Sequence, residues 1–281
     1  MASIPVVELE HCRELALAPG SVFEFTSRFL SRGNFEPLLA KYALKQAVSS
    51  IPKSGADDSV KWAKLKWWSE ELVADPEAPA RHPVLRALWL SGARAKLDNS
   101  LLLRLVSDAL AQIDVAPCSD EDAMCERLAE PGSTDIQLEL SLESAEIDSQ
   151  RLKLLGAATG LFGLVSSFAS NHLPETSGLP LNVLAKFNVS VPELEDGAHT
   201  EELAQIVEHL ARQSLAWFEE GMSGLVIQPH AADASHLRLR WAMEQRRLRE
   251  ISRDASGFLA SGARYGPADA WFAWRFLRKL K

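Results

Sequence analysis

The sequence is short of cysteines, of long apolar runs and of strand-like alternation, and each shortage excludes something. Cys12, Cys118 and Cys125 are the only cysteines in 281 residues. Their odd number and the lack of any CxxC spacing exclude a disulfide framework and a cysteine-held metal, and predict free thiols in a reducing cytoplasm. No apolar stretch approaches the ~18–20 residues that a spanning helix needs. Met1 to Glu10 has no basic n-region and no long apolar segment, so no signal peptide is expected. HExxH patterns, glycine-rich phosphate loops and nucleophile elbows are missing. Internal repeats and low-complexity linkers are missing too, so the expectation is a single domain over residues 1–281. Residues 1–19 would form an N-terminal extension and residues 260–281 a basic, aromatic C-terminal tail.

What is present suits a soluble globular chain. Hydrophobic residues make up 47% and charged residues 24%, which is ordinary for a chain long enough to bury a sizeable core. A net charge of −8 argues against nucleic acid as the main partner. The charge is uneven. Asp108 to Gln150 holds twelve acids and one base, Arg127, whereas His236 to Lys281 holds eleven bases and four acids. The first segment reads as a solvated acidic face. The second offers a basic face to an anionic partner, including a membrane surface.

Helical periodicity dominates. Val22 to Ala47 places Phe23, Phe25, Phe29, Leu30, Leu38, Leu39 and Tyr42 at helical spacing, with Ser21 as an N-cap and a turn at Ser31 to Asn34. Further helices are expected over Val60–Val73, Pro83–Ala95, Asn99–Ile113 and Asp120–Ser144, the last broken near Pro131-Gly132. Others are expected over Gln150–Asn171, Pro192–Gly221 and Ala231–Leu259, with a loop over His172–Ser190. The result is an all-α chain. The Gln150–Asn171 helix is rich in small residues (Gly156, Ala157, Ala158, Gly160, Gly163), which fits either a tightly packed core helix or one wall of an apolar cavity. His230 and His236 read as surface or loop histidines. Arg246, Arg247, Arg249 and Arg253 read as a solvated helix face. Trp271 to Lys279 mixes aromatics and cations, as a headgroup-level helix does; a helix docked through those aromatics is the other reading.

Several short motifs, in order, carry a family resemblance. They are Ser21-Val22-Phe23 with Arg28-Phe29-Leu30, Tyr42-Ala43-Leu44, and Lys66-Trp67-Trp68-Ser69-Glu70-Glu71-Leu72. His82-Pro83-Val84-Leu85-Arg86-Ala87-Leu88 and Gly156 to Gly160 with Leu179-Pro180 complete the set. Together they resemble the squalene/phytoene synthases across roughly residues 20 to 190. The resemblance implies a single-domain isoprenoid synthase-like helical bundle around a central apolar cavity. It also implies head-to-head joining of two prenyl diphosphates, with Mg²⁺ held by two aspartate-rich motifs to neutralise the leaving diphosphate.

Those motifs are degenerate here. At the first, Gln46 stands where the family has arginine, Ser49 and Ser50 where it has adjacent aspartates, and Lys53 where it has a third; Tyr42 is kept. At the second, Gly160 replaces glutamine, Gly163 replaces asparagine and Ser166 replaces arginine, while Ser167 and Asn171 replace the two aspartates. Tyr42, Gln46, Ser49, Ser50, Lys53, Gly163, Ser166, Ser167 and Asn171 are therefore the positions of the expected substrate site, without catalytic or metal-binding side chains. Hydroxyls and an amide cannot supply the charge a Mg²⁺ cluster needs, so no cofactor is expected. Asp57 and Asp58 are the nearest acids that a shift in register could recruit.

Three functions follow from the resemblance. The first is a non-catalytic family member that binds or assembles a protein partner, as a mitochondrial complex I assembly factor similar to these synthases does without the aspartate motifs. Its setting would be a membrane or respiratory complex. The second is a Mg²⁺-dependent prenyl transferase working through Asp57 and Asp58. The third is an isoprenoid or lipid binder without chemistry. The expected location is the cytoplasm, peripheral to the inner membrane.

Overall fold

A computed structural model of the chain describes residues 4–74, 80–113, 115–143, 146–169, 178–195, 200–225, 235–262 and 264–280. In chain order its helices are α1 (Val6–Ala16), α2 (Val22–Thr26), α3 (Arg32–Ser49), α4 (Asp58–Leu72) and α5 (Pro83–Leu90). Next come α6 (Asn99–Leu110), α7 (Glu121–Glu143), α8 (Ser149–Ser167), α9 (Leu181–Lys186) and α10 (Val191–Glu195). Then follow α11 (Thr200–Met222), α12 (Ser235–Ile251), α13 (Ala255–Ser261) and α14 (Pro267–Leu280). Among the described residues there is no strand, so the all-α expectation holds. None of these helices is long and apolar enough to cross a membrane.

The contacts of the chain fall into two compact units, each assembled from three separate stretches. The first comprises Met1–Asp114, Thr134–Glu146 and Ile227–Leu237; the second comprises Val115–Ser133, Ile147–Val226 and Arg238–Lys281. Helices α7 and α12 give residues to both.

In the first unit, local chemistry sets the helix starts. Ser21 Oγ accepts from the Glu24 N–H at 3.1 Å, as expected of an N-cap. Pro83 opens α5, and His82 Nδ1 caps it by accepting from the Val84 N–H at 3.2 Å. Asp98 caps α6 through the Ser100 N–H at 2.8 Å. Helix α3 runs through this unit's core, against α1, α5 and α6. Leu39, Ala43, Val48, Leu65, Val84, Leu88 and Leu102 are all buried in one apolar cluster. Helix α1 was not anticipated within the supposed N-terminal extension. It buries Cys12 and Ala16, and its Glu8 accepts from Arg86 Nε at 2.8 Å. Burial, with Glu8 nearby, pushes the Cys12 thiol up to about 11.

In the second unit α8 packs along α11. Of the small residues of α8, Gly156, Ala157 and Ala158 are buried in the core, where the Ala158 carbonyl accepts from Ser214 Oγ at 2.9 Å, whereas Gly160 is half-buried and Gly163 is exposed. The expected break at Pro131-Gly132 does not occur; α7 runs straight through it. A proline forfeits one helical hydrogen bond. Here the adjoining turn is held from outside, because Gly132 lies backbone to backbone on Gly156 and Ser133 Oγ donates to the Leu152 carbonyl at 3.1 Å. Two other boundaries also differ. The supposed loop from His172 contains α9, and the supposed Ala231–Leu259 helix is two helices, separated where the Asp254 side chain caps α13 through the Gly257 N–H at 2.8 Å.

The glycine contact yields opposite predictions for two glycines in these helices. A Cβ on Gly132 would sit 2.0 Å from the Gly156 carbonyl oxygen, and neither backbone can yield. Gly132→Ala is expected to cost at least the upper end of the ~1–3 kcal/mol typical of overpacking. Gly163 has nothing within 4 Å of a Cβ and lies in an exposed helical position, so Gly163→Ala should add about 0.5–1 kcal/mol. Urea unfolding midpoints of the two variants, moving in opposite directions from the parent, check both.

Candidate functional site

The first set of expected site residues lies on and just after α3, in the first unit. Gln46, Ser50 and Lys53 are exposed and Ser49 is partly buried. Ser50 Oγ is occupied by the Ala47 carbonyl, one turn back, at 3.3 Å. No carboxylate stands at these positions. Asp57 and Asp58 are exposed at the start of α4, and Asp58 Oδ1 accepts from Lys61 Nζ at 3.0 Å. Asp58 thus sits in the first turn of α4, paired within it, and Asp57 stands at the N-cap position without a side-chain cap.

The second set lies at the end of α8, in the second unit. Gly163 is exposed, and Ser167 Oγ donates back to the Leu164 carbonyl at 2.6 Å, as core helical serines do. The Ser166 hydroxyl oxygen is buried with no hydrogen-bond partner among the described residues. Asn171 and His230 lie outside the described residues.

Tyr42 leads to a cluster that sequence reasoning missed. Its hydroxyl donates to Glu139 Oε2 at 2.9 Å. Lys41, with a fully buried side chain, places Nζ 2.5 Å from Asp135 Oδ1 and 3.3 Å from Glu139 Oε2, and 4.0 Å over the Tyr42 ring. Lys45 reaches Asp135 Oδ2 at 2.8 Å. His236 Nδ1 lies 2.5 Å from Glu139 Oε1, and its Nε2 lies 3.0 Å from Thr26 Oγ1. Thr26 Oγ1 also lies 2.8 Å from the Val22 carbonyl, one turn back, to which it donates. Phe23 stacks on Tyr42 at 3.7 Å and closes the cluster. All of these residues belong to the first unit.

Three expectations are corrected here. Asp135, Glu139 and Glu143 are not part of a solvated acidic face; they are 1%, 0% and 4% exposed. Their i, i+4, i+8 spacing puts them on one helix face. Lys41 and Lys45, themselves i and i+4 on α3, answer it. That pairing of spacings was the available signal. His236 is not a surface histidine; it is 2% exposed. Arg247 is also corrected, from a solvated face to a largely buried position where it stacks on Tyr265 at 4.7 Å and donates to Glu250 at 3.0 Å.

Glu139, Glu143 and His236 form the one group of three potential metal ligands among the described residues. Their electrostatics favour protein cations over a metal. Both Glu139 oxygens already accept from Lys41, Tyr42 and His236. The Lys41 and Lys45 ammoniums face Asp135 and Glu139 directly, so protein cations already stand where a metal would have to bind.

A separate cleft of about 680 Å³ opens in the first unit between the end of α3 and α4. Trp67, Trp68 and His82 form an aromatic wall, and Ser50, Ile51 and Lys64 line the rest. The His82 ring lies 4.8 Å from Trp68 and 6.1 Å from Trp67. Burial first, then His11 and Arg86, hold His82 below its ordinary value. It is therefore neutral at pH 7; with Nδ1 accepting the cap, Nε2 carries the proton. Trp68 is buried, in keeping with a packing role, while Trp67 is shared between packing and cleft.

The helical architecture is that of the isoprenoid synthases. A squalene synthase, HpnC from Alicyclobacillus acidocaldarius, is similar with a TM-score of 0.65 and 20% identity over 89% of this chain and 96% of that one. A dehydrosqualene synthase solved in complex with ligand gives a TM-score of 0.66 and 14% identity over 98% and 95% of the two chains. The family model for squalene/phytoene synthase matches residues 18–265, and the chain belongs to that family. No curated protein matches it.

The buried cluster can be tested directly. Lys41→Met would leave Asp135 and Glu139 short of a cation in the interior and is expected to cost ~3–5 kcal/mol. Lys45, 36% exposed, should cost below ~1 kcal/mol on the same change. Equal unfolding midpoints for the two variants would show that the cluster is not held by Lys41.

Proposed function

We propose that this chain is a squalene/phytoene synthase-family protein that has kept the fold and given up Mg²⁺-dependent ionisation of prenyl diphosphates, acting instead as a binding or assembly protein. The observation that carries the proposal is the end of α3. Ser49, Ser50 and Lys53 offer two hydroxyls and an ammonium where the chemistry requires a metal-binding carboxylate cluster. The acids nearest in space to α3 do not compensate. Asp135 and Glu139 are paired with Lys41 and Lys45 and hydrogen-bonded by Tyr42 and His236, and Asp58 is engaged by Lys61. Assembly of a membrane or respiratory complex is the form of this role suggested by family analogy alone.

Purified protein given farnesyl or geranylgeranyl diphosphate with Mg²⁺ is expected to release no pyrophosphate above the protein-free control. Mg²⁺-dependent release, abolished in Asp57→Ala/Asp58→Ala, would instead establish the prenyl transferase. Affinity purification from native cells should return the same partner in independent preparations.

The cleft favours a second reading, an isoprenoid or lipid binder without chemistry. Its size lies within the ~300–1,000 Å³ range of small-molecule sites, and an aromatic wall with a few polar groups is their usual lining. That reading predicts saturable, Mg²⁺-independent stabilisation by farnesol or a short-chain quinone in a thermal-shift titration, weakened about tenfold by Trp67→Ala. A flat titration with the parent protein would remove it.

A further inference from the structure

We propose that α14 is a docking surface for an anionic lipid bilayer. The helix carries two faces of different chemistry. Inward, Asp269 and Ala273 are buried. Asp269 is the only acid of α14; its Oδ1 accepts from Arg246 Nε at 2.9 Å and its Oδ2 from the Gly266 N–H at 2.8 Å. Outward, Trp271 and Trp274 are 57% and 51% exposed, and Arg275, Arg278 and Lys279 are exposed beside them. The i, i+3, i+4, i+7 spacing of Trp271, Trp274, Arg275 and Arg278 makes one continuous stripe, with no carboxylate on it.

The two kinds of side chain are coupled. The Arg275 guanidinium lies 5.2 Å from the Trp271 ring centroid, and that of Arg278 lies 4.7 Å from the Trp274 centroid. Stacking holds each cation at the level of its indole. Indoles settle at the headgroup boundary, and guanidiniums beside them meet lipid phosphates at that depth. A helix of fourteen residues is about 21 Å long, too short and too charged to span, so it would lie in the plane of the interface.

Charge decides the kind of surface. The chain as a whole carries −8 and would be repelled by an anionic membrane approached at random. The cationic stripe gives one orientation in which approach is attractive. A zwitterionic surface would offer the indoles a seat but no such selection. Tryptophan and arginine are also enriched at protein interfaces, so it is the single sign of the charge, with Lys279 among the cations, that selects an anionic surface.

Flotation with vesicles tests the proposal, comparing phosphatidylcholine alone with phosphatidylcholine containing phosphatidylglycerol, at low and high salt. The parent protein is expected to float with the anionic vesicles at low salt and to be released by high salt. Each removed cation should weaken partitioning about fivefold, hence Arg275→Gln/Arg278→Gln roughly twenty-fivefold. Trp271→Ala/Trp274→Ala should weaken binding to the same vesicles at least tenfold. All four side chains are exposed, and circular dichroism and thermal unfolding verify that both variants keep the fold. As a readout on near-native protein, brominated lipid in the anionic vesicles should quench the parent's tryptophan fluorescence and leave Trp271→Phe/Trp274→Phe less quenched. Failure of the parent to float, equal binding to neutral vesicles, or parental binding by both variants would each overturn the proposal.

Discussion

The interaction on which the first unit most depends is the buried meeting of Lys41 with Asp135 and Glu139. A bare carboxylate in an interior is costly, and α7 brings in three on one face. They are tolerable only if α3 supplies cations at matching heights. Lys41 and Lys45, one turn apart, meet the two oxygens of Asp135. Tyr42 and His236 complete Glu139. Register between α3 and α7 is thereby set by charge: a slip of one residue would carry the ammoniums off the carboxylates. Ion pairs this deep contribute little net stability over well-packed apolar side chains, but they penalise alternatives heavily. Because His236 and Thr26 join the cluster, segments far apart in sequence are committed to one arrangement within the unit.

The same interaction bears on chemistry. A Mg²⁺ site for a diphosphate needs carboxylates with spare negative charge, reachable by water and metal. The α7 carboxylates beside α3 are the reverse, buried and engaged by side chains of the protein. The outer end of α3 offers hydroxyls, an amide and an ammonium. An interior built on satisfied ion pairs and a rim without acids form a consistent pair, since neither makes a demand on a metal. The aromatic cleft beside them is compatible with that state, because binding an apolar molecule requires burial and shape rather than charge.

Much of the fold was legible in the sequence because helices announce themselves locally. Ser21, Pro83 and the apolar stripe of α6 marked their elements, and the small residues of α8 marked a central helix. The misreadings share one cause. Whether Pro131 breaks α7 depends on Gly132 meeting Gly156, a contact between residues distant in sequence. Whether Asp135 and Glu139, two of the twelve acids between Asp108 and Gln150, face water depends on Lys41, which lies outside that segment. His236 looked like a loop histidine because its partners, Glu139 and Thr26, come from two other stretches. Spacing gave the faces of helices; it did not say which face would meet which. The degenerate site was legible position by position, since the absence of a carboxylate is a statement about identity and needs no partner to be read.

Charge counted along the chain is therefore a poor measure of charge presented to solvent, and the basic C-terminal segment makes the point as the acidic one does. Of its bases, Arg240 is buried against Glu244 at 2.9 Å. Arg246 is taken up by Asp269, and Arg247 by Glu250 and Tyr265. These arginines hold α12 to its own neighbours and present little to a partner. The cations of α14 are different in kind, because the only acid of that helix is turned inward and spent on Arg246. The internal pair that anchors α14 is thus also what leaves its outer face purely cationic. If Asp269 faced outward instead, the stripe would be mixed in sign and Arg246 would lose its partner, so the packing of the helix and the character of its exposed face have a single cause.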